Sequence, residues 1–212
     1  MLYVELEGTD TTGKTTTCVE VCRRLKRRGY QAVVVPPARE LIQGFMEAFD
    51  TLDPVSLIAH ELRGYTARRR WASKSGYQLF FIDRGLITLT ASSLARLIQA
   101  GYARSDAQFI VNNALISISP SSTPIKRYLL SYGDHDLSAA LAHFKAREGA
   151  PLSAHYVAYQ RLFIQIMNNF DSPVTQVDAR FDACASPSTI HQAIFRDLFT
   201  MTLPQTHLLE KV

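Results

Sequence analysis

Cysteine is scarce in this 212-residue chain: Cys18, Cys22 and Cys184 are an odd number, at spacings that frame no disulfide scaffold. Cys18 and Cys22 fall four apart on an expected helix, but no CxxC or HxxxH partner accompanies them. That argues against a metal centre and for reduced, structural thiols. Long apolar runs are also missing. No stretch reaches the roughly 18 residues of a membrane span. The opening MLYVELEG enters strand-like sequence directly, without the basic and apolar regions of a signal peptide. The expectation is a cytoplasmic protein with no membrane partner. Neither sign of charge dominates, the formal net charge being +4. The clusters Arg23-Arg24-Leu25-Lys26-Arg27-Arg28 and Arg68-Arg69-Arg70 suit a solvated helix face or the surroundings of a phosphate. No aromatic-basic platform joins them, so a nucleic-acid-binding module is disfavoured.

Apolar residues make up 47% of the chain, enough for one α/β core. Residues 2–6 read as a buried strand and 30–35 as a second, stopped by Pro36-Pro37. Between them, residues 15–28 form a helical stretch with Val19, Cys22 and Leu25 on one side and Gly29 as its stop. A β-α-β unit of this kind predicts a mostly parallel sheet. Asp53-Pro54 is an N-cap with proline at the first helical position, followed by Val55, Ile58, Leu62 and Tyr65 at helical spacing. Further strands are expected at 78–82, 125–131 and 174–177. Helices are expected at 89–99, 106–116, 138–147 and 154–168, and a last one opens at Ser186-Pro187 with Ile190, Ile194, Leu198 and Met201 on one face. No repeat or interdomain linker interrupts residues 1–212, so a single three-layer domain is expected.

One motif carries chemistry. Gly8-Thr9-Asp10-Thr11-Thr12-Gly13-Lys14-Thr15 satisfies GxxxxGK[ST] at every fixed position, between a strand and a helix. Glycines let the backbone curl until successive N–H groups face phosphate oxygens, and the helix N-terminus adds its positive end. Lys14, expected as an exposed point charge, would reach the β- and γ-phosphates of ATP, and the Thr15 hydroxyl would coordinate Mg²⁺. Gly8, Thr11, Thr12, Gly13, Lys14, Thr15 and Thr16 are the expected nucleotide-binding residues. The absence of an NKxD-type signature weighs against a GTPase.

With these residues in place, the sequence resembles the thymidylate kinase family of P-loop nucleoside and nucleotide kinases. VELEGTDTTGKTT is similar to that family's FEGxDGxGKTT, and Asp83-Arg84, directly after QLFFI, to its DR pair. The resemblance implies a three-layer P-loop kinase fold with a five-stranded, mostly parallel sheet and a short lid near 138–153. It implies that Asp10 lies near the acceptor's sugar, that Asp83 helps hold Mg²⁺ or binds the acceptor side, and that Arg84 contacts phosphates. Arg68 resembles the arginine that binds the acceptor phosphate, with Arg63, Arg69 and Arg70 as alternatives. Arg39-Glu40 falls where the family has an RE-containing loop, and Val177-Asp178-Ala179 resembles the segment whose loop lies against adenine.

The departures are specific. The lid's two arginines are replaced by His143 and Arg147, which share a helix face, but only Arg147 is always charged. After Asp83-Arg84 comes Gly85 instead of serine, and the tyrosine and glutamine that frame a pyrimidine are missing. The leading expectation is therefore transfer of the γ-phosphate of ATP to a small, anionic acceptor, with the nucleoside monophosphate dTMP as first guess. Kinases of nucleosides or other small hydroxyl compounds, and a nucleotide-binding protein that has lost catalysis, stay open. A homodimer is compatible with this reading.

Overall fold

The computed structural model describes residues 1–116, 118, 123–132, 137–148, 152–170 and 176–201. Five strands form one sheet in the order β2-β3-β1-β4-β5, all parallel. They are β1 (Leu2–Glu7), β2 (Ala32–Val34), β3 (Leu79–Asp83), β4 (Ile125–Ser131) and β5 (Ala179–Asp182). The chain leaves β1 toward β2 on one side and leaves β3 toward β4 on the other. The sheet therefore reverses its winding between β1 and β3, where an α/β sheet opens a crevice at its C-terminal edge.

One face of the sheet is covered by α1 (Lys14–Arg27) and α9 (Pro187–Met201). Their Cys18, Val21, Cys22, Leu25, Ile190, Ile194 and Leu198 pack on Val4, Leu6, Phe81 and Leu130. Each fully buried leucine or isoleucine here contributes about 2 kcal/mol of burial. The apolar stripe of α1 is thus Cys18-Val21-Cys22-Leu25, at i, i+3, i+4 and i+7, and Val19 is exposed, contrary to expectation. Both buried cysteines are free thiols packed in this core.

The other face carries α4 (Pro54–Lys74), α5 (Leu86–Gln99), α6 (Arg104–Ile116) and α8 (Ala154–Asn168). Ile58, Leu62, Ile87, Ala91, Leu94, Phe163 and Met167 form its core. Helix α4 starts as its cap dictates, Asp53 accepting from the N–H groups of Val55 (2.9 Å) and Ser56 (3.0 Å). Val55 is exposed, whereas Ile58, Leu62 and Tyr65 are buried as expected. The short helices α2 (Ala38–Leu41) and α3 (Ala48–Thr51) lie between β2 and α4 and were not expected. Helix α7 (Leu137–Glu148) covers the start of the anticipated lid. The side chains of His143 and Arg147 lie outside the described residues.

The fifth strand differs from expectation. It runs from Ala179 to Asp182, downstream of 174–177. Tyr128 pairs with Ala179 and Ser131 with Asp182, so β5 reaches the same edge as β4 only at Asp182. Among the described residues, no helix is long and apolar enough to cross a membrane.

Candidate active site

Strands β1 and β3 bring the two sequence motifs together. Leu6 is in register with Asp83, and the Arg84 N–H donates to the Leu6 carbonyl at 3.0 Å. Residues 8–13 curl from the end of β1 into α1. Gly8 has φ +143, and a Cβ there would lie 2.2 Å from the Leu130 carbonyl oxygen, so both the dihedral and the space demand glycine. Gly13, in the left-handed region, is the N-cap of α1 and offers no capping side chain. The first-turn N–H groups of α1 are thus left to a ligand, at the positive end of the helix. Tyr132, buried at the end of β4, holds the loop tip: its hydroxyl donates to the Thr11 carbonyl at 2.9 Å and sits 3.0 Å from Thr11 Oγ1. Thr12 Oγ1 donates to the Thr9 carbonyl at 2.9 Å. Thr16 is exposed on the first turn of α1.

Lys14 is not the exposed charge expected. Its side chain is buried, 5% exposed, and its ammonium folds back to donate to the Thr9 carbonyl inside the loop. Burial lowers its pKa to about 8, helped by Arg84 and opposed by Asp83, Asp10 and Glu7. A phosphate entering the loop would give this ammonium the counter-charge it lacks.

Thr15 Oγ1 donates to Asp83 Oδ2, while Asp83 Oδ1 is buried without a hydrogen-bond partner. A hydroxyl and a carboxylate, one oxygen of it unsatisfied, are hard donors suited to Mg²⁺, which takes few protein ligands and fills its shell with water and phosphate. Among the described residues, no group of three or more His, Cys, Asp or Glu forms a separate metal cluster.

Arg84 has φ +64 and Thr11 φ +61, the two non-glycine residues with positive φ among the described residues. A left-handed arginine costs roughly 1–2 kcal/mol, and here it turns the side chain into the crevice to pair with Asp10. Asp10 Oδ2 also lies 3.2 Å from Gln160 Nε2 and 3.5 Å from the Tyr156 hydroxyl, both on α8. Gln160 is fully buried, and its Oε1 has no partner.

A second ion pair, Glu61 of α4 with Arg96 of α5, stands near Arg84 and Tyr159, the Arg96 guanidinium 6.0 Å from the Phe49 ring centroid. Burial raises the Glu61 pKa, with Arg96 opposing. The Tyr159 phenol stands within the fields of Arg96, Asp10, Glu61 and Arg84 and makes no hydrogen bond to a described residue. Burial raises its pKa, with Arg96 opposing and Asp10 and Glu61 adding. Sequence reasoning missed Glu61, Arg96, Tyr159 and Gln160. The polar residues Glu61 and Gln160, sitting on otherwise apolar helix faces, were the available signal.

Arg68 is placed differently from the expected acceptor-phosphate contact. It is buried, and its guanidinium donates to three carbonyls: Pro36 (3.2 Å), Asp83 (2.8 Å) and Arg84 (3.2 Å). It brackets the loop after β2 to the turn after β3. Arg39 is exposed on α2, with no hydrogen bond or ion pair to a described residue. Arg63 and Arg70 line a separate cavity of about 610 Å³ with Leu41, Ile42 and Thr66, on the face of α4 turned away from Arg68. Ala179 sits within β5, partly buried against the core beneath α1 and α9, and so lies in a strand and not in the loop expected. The loop after β5 begins at Ala183, whose N–H donates to the Ser131 carbonyl at 2.7 Å. Around β5 an Asp-Ala pair occurs twice, at 178–179 and 182–183, and only the second ends the strand.

No protein-family model matches the chain, and no curated protein matches it. Solved structures do. Deoxyadenosine kinase from M. mycoides with products dCMP and a flexible dCDP superposes with a TM-score of 0.61 at 15% identity, covering 93% of this chain and 99% of the other. The same enzyme with dATP gives 0.60 at 17% identity, with equal coverage. With dCTP it gives 0.57 at 16% identity. At such identity the likeness is one of fold, and the fold is that of the P-loop kinases.

Proposed function

We propose that this chain transfers the γ-phosphoryl group of ATP to a hydroxyl of an uncharged, ring-bearing acceptor of the nucleoside class. The carrying observation is the state of the acceptor-side arginines. Arg84 is paired with Asp10, Arg96 with Glu61, and Arg68 is held by three carbonyls. A dianionic acceptor phosphate needs uncommitted, charge-assisted donors, and these three are engaged before it arrives. A neutral acceptor needs no such release; its hydroxyls match Asp10, Tyr159 and Gln160 Oε1. The likeness in fold to a deoxyadenosine kinase agrees with this choice over a nucleoside monophosphate.

In this reading Lys14 and the first turn of α1 hold the ATP phosphates, and Thr15 and Asp83 hold Mg²⁺. Such a metal would supply neutralisation of phosphate charge. Lys14, and Arg147 from the lid helix, would take up charge as the group moves. The acceptor oxygen forms its bond to the γ-phosphorus as the bond from that phosphorus to the β-bridging oxygen breaks, and ADP leaves. The hydroxyl proton leaves late in a loose transition state, so no strong base is needed, and the Asp10 carboxylate would take it. Catalysis is then positioning and electrostatics. The test is ADP release with deoxyadenosine, thymidine, dTMP and a panel of unrelated small alcohols. Nucleosides should give the highest specificity constants. A preference for dTMP on the order of a hundredfold would return the reading to a nucleotide kinase, and no ADP release with any acceptor would refute it.

A further inference from the structure

Strand β1 carries two acids, Glu5 and Glu7, on the side that faces α4 and α5, and both are fully buried. Glu5 is satisfied by the Tyr65 hydroxyl at 2.5 Å and Arg127 Nε at 2.8 Å. Glu7 has another task. It accepts from the N–H groups of Ile87 (3.1 Å) and Thr88 (2.8 Å), the second and third residues of α5, and from the Thr88 hydroxyl at 2.5 Å. A strand residue 80 positions away thus caps a helix whose own N-cap, Gly85, has no side chain to offer. A Cβ on Gly85 would lie 2.4 Å from Glu7 Oε1, so the departure from serine follows from the carboxylate filling that space.

The Thr88 hydroxyl does a second thing. Having donated to Glu7, it accepts from the Gly8 N–H at 3.0 Å. Gly8 is the first residue of the phosphate loop, and its dihedral and lack of space leave it little freedom elsewhere. We propose that Thr88 is a positioning residue of the phosphate loop: its hydroxyl relays between the Gly8 amide and the Glu7 carboxylate and so fixes the loop's entry to helix α5. The inference rests on the proposed nucleotide-binding role of that loop. It also links the two halves of the site, because α5 follows directly on Asp83, the last residue of β3, and Arg84. Burial, reinforced by the charge of Glu5, raises the Glu7 pKa to about 7, and the three donors to the carboxylate oppose the shift.

Calorimetric titration with ADP and ATP tests the relay in the full-length chain, with no acceptor required. Thr88→Val keeps the shape and removes the hydroxyl. Nucleotide affinity should fall at least about tenfold, as for losing a positioned bond to a constrained loop. Thr88→Ser should bind within about threefold of the parent. Thr90→Val is the control for stability alone: Thr90 is buried two residues on, and its hydroxyl donates to the Leu86 carbonyl at 2.8 Å, away from the loop. It should lower the melting temperature and leave affinity unchanged. Should Thr88→Val not fold, Thr88→Cys keeps the bulk with a weaker donor and replaces it. Unchanged affinity in Thr88→Val overturns the proposal, as does a Thr88→Ser variant as impaired as the valine, or an equal loss in Thr90→Val. If the parent chain binds neither nucleotide, the function reading fails first and takes the relay's role with it.

Discussion

Replacing Arg68 with alanine separates a bracket from a ligand. In the structure three hydrogen bonds from its guanidinium tie Pro36, Asp83 and Arg84 together, at 3.2, 2.8 and 3.2 Å. A bond from a charged donor contributes about 1.5 kcal/mol net, and the carbonyls left behind lose a partner in a buried place. Against this stands the cost of desolvating the guanidinium, visible in an Arg68 pKa lowered by burial although Asp83 opposes. The balance is a loss of about 3 kcal/mol, or about 6–12 °C of melting temperature for a chain of this size. Thermal melts monitored by circular dichroism read the first quantity, and acceptor KM the second. Arg68→Lys should not rescue, because one ammonium cannot span three carbonyls in the fork's geometry. A melting temperature within about 2 °C of the parent, together with a tenfold or larger rise in acceptor KM, would refute the bracket and restore Arg68 as a phosphate ligand.

Lys14→Met should abolish transfer and raise stability at pH 7, since the lysine is a buried charge whose pKa is lowered to about 8. With the folded pKa below the unfolded 10.5, the unfolded chain binds more protons between those values. Stability of the parent should therefore rise with pH from about 8 to 10.5, and chemical denaturation across that range should show no such rise in the variant. Asp83→Asn should weaken the apparent Mg²⁺ affinity and lower turnover by about tenfold or more; a metal titration with unchanged midpoint would remove Asp83 from the metal. Gly85→Ser, which restores the residue of the resembling family, should cost about 3 kcal/mol. Its Cβ would sit 2.4 Å from Glu7 Oε1 and 2.7 Å from Glu5 Cβ, and an unchanged melting temperature would show that the acids can move aside.

What the sequence disclosed follows the range over which each signal acts. The phosphate loop was legible because Gly8, Gly13, Lys14 and Thr15 act within eight residues, with strand and helix on either side. Helix α8 was legible end to end because Ser153 caps it locally, accepting from Tyr156 N–H at 3.1 Å. Helix α5 was placed three residues late, at Leu89 instead of Leu86, because its cap is Glu7, which no local pattern can supply. The β-branched Val174, Thr175 and Val177 drew the fifth strand upstream, although the register with β4 starts only at Ala179.

The acceptor side was the least legible, for a physical reason. An arginine's role depends on what neutralises it, and for Arg84 and Arg96 the neutralising acids lie 74 and 35 positions away. Motif matching counts cations; it does not count the carboxylates and carbonyls that occupy them. The sequence holds the same arginines whether the acceptor is a monophosphate or a nucleoside. Only the pairing of Asp10 with Arg84 and Glu61 with Arg96 separates a crevice that attracts a dianion from one whose charges are already spent. Breaking one pair should therefore move acceptor choice in a definite direction. Glu61→Gln removes the charge that neutralises the Arg96 guanidinium. Its specificity constant for a nucleoside monophosphate relative to the nucleoside should rise by about tenfold, the worth of one charge-assisted bond. Specificity constants for both acceptors on parent and variant decide it, and an unchanged ratio would show that Arg96 plays no part in excluding a phosphate.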